Sequence, residues 1–457
     1  MMLLPLPCRP AMVMAALLAT TAAARAEPVF DTPAPFTGQV AFSGPDRSPA
    51  YAGGEVVVSG SGFVPGQEIT LSRGGEPLSP APLAADAEGA FTFSFTLPGD
   101  AVIGQHPVVV EAAAPDSAAV ADLKISPELP LSGAERYETA SAKTAPGVYQ
   151  LAYSAKSGAV FTVSASGRGD KGTSKIMKFD AATLEVLAEA TPFADEANGI
   201  YGAFGIGVDD ENGTIWVTNT RASAVAVYRQ DDLSLVKQFE AGSVGKPRDV
   251  VIDAARGRAY VSTHRTRIEE FDLARLEKLE GFELQSAERG GQFGTMSLAL
   301  DAAKGQLYTV SLRTPELARI DLATREATIL ALPGAKSASG VAVDPAGGRV
   351  FVASQGSDDV IALDGATGEV LFDTPVGAQA LNLVFDPVSG QIYVANRASD
   401  TIAVVDAASG SITANLDAGS FPNHLTVTPE GVVFAVNKAR GEEDPEGDRL
   451  IRLVPQG

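Results

Sequence analysis

Short runs of alternating apolar and polar residues, each ended by a Gly, Asp or Pro turn, fill the chain from Gln39 to its end. The stretch at 391–412, QIYVANRASDTIAVVDAASGSI, has two such runs joined by a polar loop and followed by a Ser-Gly turn. Alternation with a period of two is typical of strands that bury one face. The pattern therefore predicts an all-β protein.

The same stretch recurs along the chain. Segments such as AVDPAGGRVFVAS and VFDPVSGQIYVAN align with it, and in each a glycine lies four residues after an aspartate or serine. The aligned positions are Ser154, Asp209, Asp253, Asp301, Asp344 and Asp386, with Thr428 in a copy one residue shorter. Successive copies are 42 to 55 residues apart. The chain thus contains seven copies of one unit.

Each unit contains four predicted strands, which we call A, B, C and D in chain order. Four strands in a repeat of this length are typical of one blade of a β-propeller, so seven units predict seven blades. The last unit ends after its strand C, which would leave an unpaired sheet edge. We predict that the segment 136–143, RYETASAK, supplies the missing strand and closes the ring.

The first 26 residues have the features of a secretory signal peptide. Arg9 precedes an apolar run at 11–18, and small residues surround position 25. The predicted mature protein begins near Glu27 and is exported, to the periplasm or outside the cell. No later apolar run reaches the roughly 20 residues that a membrane-spanning helix needs, so we predict no membrane insertion. The only cysteine, Cys8, lies in this leader, which leaves the mature chain without disulfides.

Short strands separated by Gly, Pro and Asp predict a small antiparallel sandwich at 27–126. Within it, SGSGFVPGQEITL resembles a strand pair of bacterial Ig-like domains. Residues 127–135 contain two prolines and no periodic pattern, as expected of a linker. The predicted organisation is a signal peptide, an Ig-like sandwich, a linker, and a propeller at 136–457.

The segments IYVANRASDTIAVVDAASGSI and IWVTNTRASAVAVY closely resemble the YVTN-type repeat of seven-bladed propellers, the group that includes YncE-like periplasmic proteins. The resemblance covers residues 136–457. It implies a secreted or periplasmic binding protein, and some members of the group are similar to binders of single-stranded DNA. A resemblance of folds assigns no single activity.

The chain is acidic, with 35 Lys and Arg against 56 Asp and Glu and a net charge of −21. This average disfavours nucleic acid and anionic membranes as partners. Basic residues nevertheless recur at one place, the predicted loops between strands B and C. They are Arg221, Arg265, Arg313, Arg397 and Lys438, with Arg168 and Lys171 in a sixth loop and Arg248 in a neighbouring D–A loop.

These loops lie on one face of a propeller, so the recurrence predicts a positive surface that attracts an anionic small molecule or protein partner. The alternative is that each base is a solvated loop charge, paired with an acid such as Asp400 or Glu316. Four polar residues, each four positions before a repeat marker, are predicted to surround the channel mouth on the same face: Gln150, Asp249, Asn382 and His424. They are candidate ligand contacts or contacts to channel water.

Two other classes of function stay open at this point. Six-bladed lactonases and propeller lyases use metal-binding or histidine sites at this mouth, and Asp249, Asn382 and His424 could supply part of such a set. The protein could also be a structural component of the envelope. No catalytic motif occurs at a strand-to-helix junction, and we predict no catalytic residue, metal or cofactor. A row of aromatic residues in strand B is expected to be core: Phe161, Trp216, Tyr260, Tyr308, Phe351, Tyr393 and Phe434.

Overall fold

The computed structural model describes residues 34–166 and 172–456, and within these it is an all-β protein made of a sandwich followed by a seven-bladed propeller. The predicted fold is confirmed. Blade 1 contains Val148–Ser154, Ala159–Ser164, Ile176–Asp180 and Val186–Ala190. Blade 2 contains Ile206–Asp209, Thr214–Asn219, Ala224–Arg229 and Leu235–Gln238. Blade 3 contains Pro247–Asp253, Arg258–Thr263, Arg267–Asp272, Glu277–Lys278 and Phe282–Glu283. Blade 4 contains Thr295–Asp301, Gln306–Ser311, Glu316–Asp321 and Ala327–Ala331. Blade 5 contains Ala338–Asp344, Arg349–Ser354, Asp359–Asp364 and Val370–Pro375. Blade 6 contains Ala380–Asp386, Gln391–Asn396, Thr401–Asp406 and Ile412–Asp417.

Blade 7 combines the two ends of the propeller. Its strands A, B and C are Pro422–Val427, Val433–Asn437 and Arg449–Pro455, and Tyr137–Lys143 pairs antiparallel with the third of these. The pairing runs from Tyr137 opposite Pro455 to Lys143 opposite Arg449. Strands A of neighbouring blades pack against one another around the axis, and those of blades 7 and 1 do so as well. The prediction that an N-terminal strand closes the ring is confirmed.

The repeated aspartates and glycines form the turns of each blade. At the end of strand C, a carboxylate such as that of Asp364 accepts the backbone N–H groups of Ala366 (2.9 Å) and Thr367 (2.7 Å). At the A–B turn, Asp344 accepts the N–H of Gly347 (2.8 Å), and Gly348 follows with a left-handed φ of 70°. Glycine adopts this conformation without steric strain. The repeat marker is therefore a structural signal.

The core lies between the blades. The aromatic residue in strand B is buried in each of the seven blades, which confirms its predicted role. Trp216, which is fully buried, packs at 5.6 Å between ring centroids against Phe271 of the next blade. Each sheet thus buries its faces against its neighbours.

The N-terminal sandwich consists of two sheets around a separate apolar core that includes Val58, Ile69, Leu71 and Val110. One sheet contains Gln39–Ser43, Glu55–Ser61 and Phe91–Thr96, and the other contains Glu68–Arg73, Glu76–Pro77, Leu83–Ala84, Gly104–Ala112 and Ser117–Ile125. Short 3-10 turns occur at Pro45–Arg47, Ala134–Arg136 and Ala254–Arg256.

The predicted signal peptide at 1–26 lies outside the described residues. Among the residues that are described, no helix has the length and apolar character to cross a membrane.

Replacing residues 137–143 by a Gly-Ser segment of equal length tests the closure. Losing the seven paired residues exposes strand C of blade 7, and we expect the unfolding temperature to fall by on the order of 10 °C, equivalent to a few kcal/mol. The control replaces only the exposed Glu138 and Ala140 by serine and should unfold like the parent. Equal unfolding temperatures for all three proteins, measured by circular dichroism, would contradict a stabilising role for this strand.

Candidate functional site

The predicted bases lie together at one end of the propeller. Each of five bases lies one or two residues after the end of a strand B, at the end of the blade where strand A begins: Arg221, Arg265, Arg313, Arg397 and Lys438. Arg248 lies inside strand A of blade 3 and comes from the same end. We call these six residues the basic arc. The predicted sixth loop, with Arg168 and Lys171, lies outside the described residues.

Aromatic rings hold three cations of the arc. The Nζ of Lys438 lies 3.8 Å from the centre of the Tyr149 ring, and the guanidinium of Arg221 lies 5.4 Å from that of Phe204. Arg397 lies 4.9 Å from the centre of the Phe421 ring. A contact of this kind contributes roughly 0.5–1 kcal/mol at exposed sites and more where water is excluded. The rings therefore orient the cations at the surface.

β-Bulges at the start of the A strands place several of these side chains. The register shifts between Val148 and Gln150 in blade 1 and between Pro422 and His424 in blade 7. The residues between them, Tyr149 and Asn423, take no regular partner in strand B. A β-bulge changes the direction of the side chain of the extra residue. Here the side-chain amide of Asn423 donates a hydrogen bond of 2.6 Å to the backbone C=O of Tyr149.

A third bulge lies between Pro247 and Val250, and it leaves Arg248 without a regular partner in strand B. Burial and the positive charge of Arg248 together lower the pKa of His424 to about 3. Burial and Arg248 also lower the pKa of His264, to about 4, and the cations Lys246 and Arg313 act in the same direction. Both imidazoles are therefore neutral at pH 7, because burial and the positive field both disfavour their charged form.

The field also reaches groups of blades 1 and 6. Burial alone would raise the pKa of Tyr149, but the charges of Lys438 and Arg248 outweigh burial and lower it. Burial, and after it the charge of Arg248, lowers the pKa of Arg397. Cations from four blades thus act on one small region, where partial exclusion of water strengthens their attraction for an anion.

The acids named as alternative partners for the bases are engaged elsewhere. Asp400 forms its ion pair with Arg440. Glu316 accepts hydrogen bonds from the Thr314 hydroxyl (2.6 Å) and the Ala287 N–H (2.7 Å). The side chain of Arg313 donates to the amide oxygen of Gln292 instead (2.8 Å). The pairing alternative therefore does not describe Arg313 or Arg397.

The four polar residues predicted around the mouth lie there, and most of their hydrogen bonds join strands of different blades. The Asp249 carboxylate accepts the N–H of Leu298 at 2.9 Å, and burial raises its pKa. Gln150 Oε1 accepts the N–H of Ile206 at 3.0 Å, and the Asn382 amide donates to Ser297 Oγ at 3.3 Å.

Among the described residues, His424 Nδ1 is a buried atom at this mouth that forms no hydrogen bond. It is a polar atom of the predicted ring that is left for a ligand or for water. Nowhere in 34–166 and 172–456 do three His, Cys, Asp or Glu side chains gather as a metal site would require.

The N-terminal sandwich occupies the remaining part of this face. Lys124 of the sandwich forms an ion pair of 2.7 Å with the buried Asp358 in the B–C loop of blade 5 and donates to the C=O of Gln355 at 3.0 Å. Gln105 donates to the C=O of Gly356 at 3.2 Å. Blade 5 is the blade whose B–C loop, SQGSDD, contains no base. The loop that departs from the basic pattern is therefore one that forms an ion pair with the sandwich.

Sequence reasoning missed the aromatic and amide partners of the bases: Tyr149, Phe204, Phe421 and Asn423. Tyr149 and Asn423 lie one position before residues that were identified, Gln150 and His424. A bulge at that position was the missing signal, since it turns two successive residues of an A strand toward the mouth. Phe421 lies in the D–A loop just before strand A of blade 7.

Comparisons with known proteins support the fold. A family model described as outer membrane protein assembly factor BamB matches residues 298–442, which is less than half of the chain. The structure of Kuenenia stuttgartiensis hydrazine synthase is similar with a TM-score of 0.53 and 16% identity, covering 65% of this chain and 94% of that chain. The structure of U3-55K is similar with a TM-score of 0.58 and 8% identity, covering 69% and 98%. No curated protein matches the chain.

At such identities the solved structures show the fold alone. Together with the family model they place the chain among β-propeller proteins.

The substitution Arg248→Gln tests the electrostatic centre of the arc. It removes a positive charge that opposes protonation, so the pKa values of both His264 and His424 should rise from about 4 and about 3. Burial is the larger cause and is retained, so neither pKa should reach the ordinary value of about 6.5. NMR titration of the imidazole signals measures both, with His106 of the sandwich as the internal reference. Unchanged pKa values would show that Arg248 does not act on these rings.

Proposed function

We propose that this chain is an exported, non-catalytic binding protein whose basic arc engages the acidic segment of a partner protein. The observation that carries the proposal is the gathering of cations from several blades around one channel mouth in a chain of net charge −21. Six bases gathered at one end of the propeller produce a focused positive field that attracts anions.

Several observations favour a protein segment as the ligand. The arc has members on blades 6, 7, 2, 3 and 4, so it is suited to an extended anion with several charges. Aromatic rings alternate with cations along blades 6, 7, 1 and 2, which suits a chain with both carboxylates and apolar side chains. The matching family model is named for an assembly factor, a description consistent with a protein partner.

The finer identity of the chain belongs to the same proposal. The repeats suggest a YVTN-type, YncE-like propeller and the sandwich an Ig-like module, with export directed by residues 1–26. The strongly acidic composition disfavours single-stranded nucleic acid as the ligand. The lactonase-like and structural alternatives gain no specific support from the contacts at the mouth, where Asp249 and Asn382 bond to neighbouring strands.

Binding of a hexaglutamate peptide tests the proposal, since the peptide carries the charge of an acidic segment without any particular sequence. The triple variant Arg221→Ala, Arg265→Ala, Arg313→Ala should bind at least about tenfold more weakly than the parent, because each lost contact to a charged group contributes roughly 1 kcal/mol or more. Affinity should also fall with added salt. Isothermal titration calorimetry at low and high salt measures both effects.

The matched control removes three cations from the opposite end of the blades: Arg229→Ala, Arg275→Ala, Lys304→Ala. It makes the same change in net charge and should leave the affinity within about twofold, because the distances exceed a Debye length. Equal losses in the two triple variants would show a dependence on net charge alone. Absence of binding to the parent, or turnover that requires His424 or a metal, would reject the proposal.

A further inference from the structure

A pocket of ≈ 450 Å³ opens beside the basic arc, between blades 1, 2 and 3. Its lining includes Ile200 and Tyr201 from the connection between blades 1 and 2, Arg221 from the B–C loop of blade 2, and Lys246 from the following D–A loop. The volume is in the range that ligand pockets of proteins commonly have. The pocket lies outside the channel mouth, so it is a distinct part of the same face.

An insertion in the repeat builds one wall of this pocket. The markers of blades 1 and 2 are 55 residues apart, the longest spacing in the propeller. Part of the extra length lies between strand D of blade 1 and strand A of blade 2, where Ala194–Asp195 pairs antiparallel with Gly199–Ile200 in a small hairpin. A blade needs no such hairpin, because its four strands are already complete. The added structure therefore serves something other than the closure of blade 2.

The hairpin is firmly held. The Asp195 carboxylate accepts hydrogen bonds from the Tyr201 hydroxyl and from the backbone N–H of Asn198 (2.6 Å). The buried ring of Tyr201 packs edge-on against Phe193, with 5.3 Å between centroids. The backbone N–H of Phe193 in turn donates to the Tyr228 hydroxyl (3.0 Å). These contacts give the pocket a rigid wall, so a ligand need not order it.

The chemistry of the pocket favours a single carboxylate. Arg221 and Lys246 bring two positive charges to the lining, and Ile200 and Tyr201 bring apolar surface. The Asp195 carboxylate, which accepts the Tyr201 hydroxyl, is a nearby negative charge that opposes a second negative charge on the ligand. A glutamate side chain, with an apolar stem and one charge, matches this arrangement better than a doubly charged phosphate does.

We propose that this hairpin pocket receives one acidic side chain of the partner and so fixes the position of the acidic segment along the basic arc. The inference rests on the proposed function and adds to it the place at which the segment is anchored. The arc supplies general attraction, whereas the pocket supplies a single defined contact that a partner can match in position.

A pair of substitutions at one position separates the pocket from the arc. Ile200→Glu places a negative charge in the pocket, and Ile200→Gln places a neutral group of the same shape there. We expect Ile200→Glu to bind hexaglutamate at least about tenfold more weakly than Ile200→Gln, because the two charges would lie a few ångströms apart in partial burial. Both variants are first compared with the parent by thermal unfolding.

A second pair tests the pocket without altering the hairpin. Lys246→Gln should weaken the binding of hexaglutamate about fivefold to tenfold, and Lys246→Arg should retain it, because the positive charge is kept. Competition by butyrate, which has one carboxylate on an apolar stem, and by inorganic phosphate identifies the chemistry of the ligand. Butyrate should compete more strongly than phosphate at equal concentration, and both more weakly than the peptide.

The outcomes distinguish the two proposals. If the parent binds hexaglutamate and Ile200→Glu behaves like Ile200→Gln, the pocket proposal is rejected and the proposed function stands. Stronger competition by phosphate rejects the assignment of a carboxylate. If the parent does not bind hexaglutamate at all, the proposed function is rejected, and the pocket proposal falls with it.

Discussion

The pairing of Tyr137–Lys143 with Arg449–Pro455 is the contact on which the rest of the structure depends. A ring of blades has no stable edge until its last sheet is completed, and here the completing strand comes from the other end of the propeller. Closure brings the seven A strands around one axis, and the channel mouth exists only because they meet there. It also determines where the N-terminal sandwich can lie, since the linker leads directly into the closing strand.

The positions of the linker and of the sandwich follow from this closure. Ser132 in the linker bridges to Asn415 in the last strand of blade 6, with backbone hydrogen bonds of 2.8 and 3.1 Å. From there the sandwich reaches blade 5, where Lys124 pairs with Asp358. The face consequently has a sector at blade 5 that contacts the sandwich, and the basic arc on blades 2, 3, 4, 6 and 7. This division makes a fold of seven similar blades asymmetric.

The repeat could be predicted from the sequence because its signals are local. An aspartate that accepts backbone amides of its own turn, followed by a left-handed glycine, recurs in blades 2 to 6, as Asp344 and Gly348 illustrate. The placement of the bases on one face could be predicted as well, because the order of strands in a blade brings every B–C loop to the same end of the propeller. The contacts of Tyr149 with Lys438 and of Lys124 with Asp358 could not be predicted, because they depend on bulges and on packing between distant segments. The hairpin pocket left a trace in the sequence as one long spacing, but its lining joins three separate loops.

The central claim is that the basic arc binds an anion in the folded state, and a thermal-shift screen tests it most directly. A ligand that binds only the folded protein must raise its apparent stability by mass action. The account predicts a higher unfolding temperature with hexaglutamate at low salt, an effect that disappears at high salt, and a smaller rise with single carboxylates. A rise with calcium or zinc alone would contradict the account in favour of a metal-dependent site, and no rise with any anion would contradict it outright.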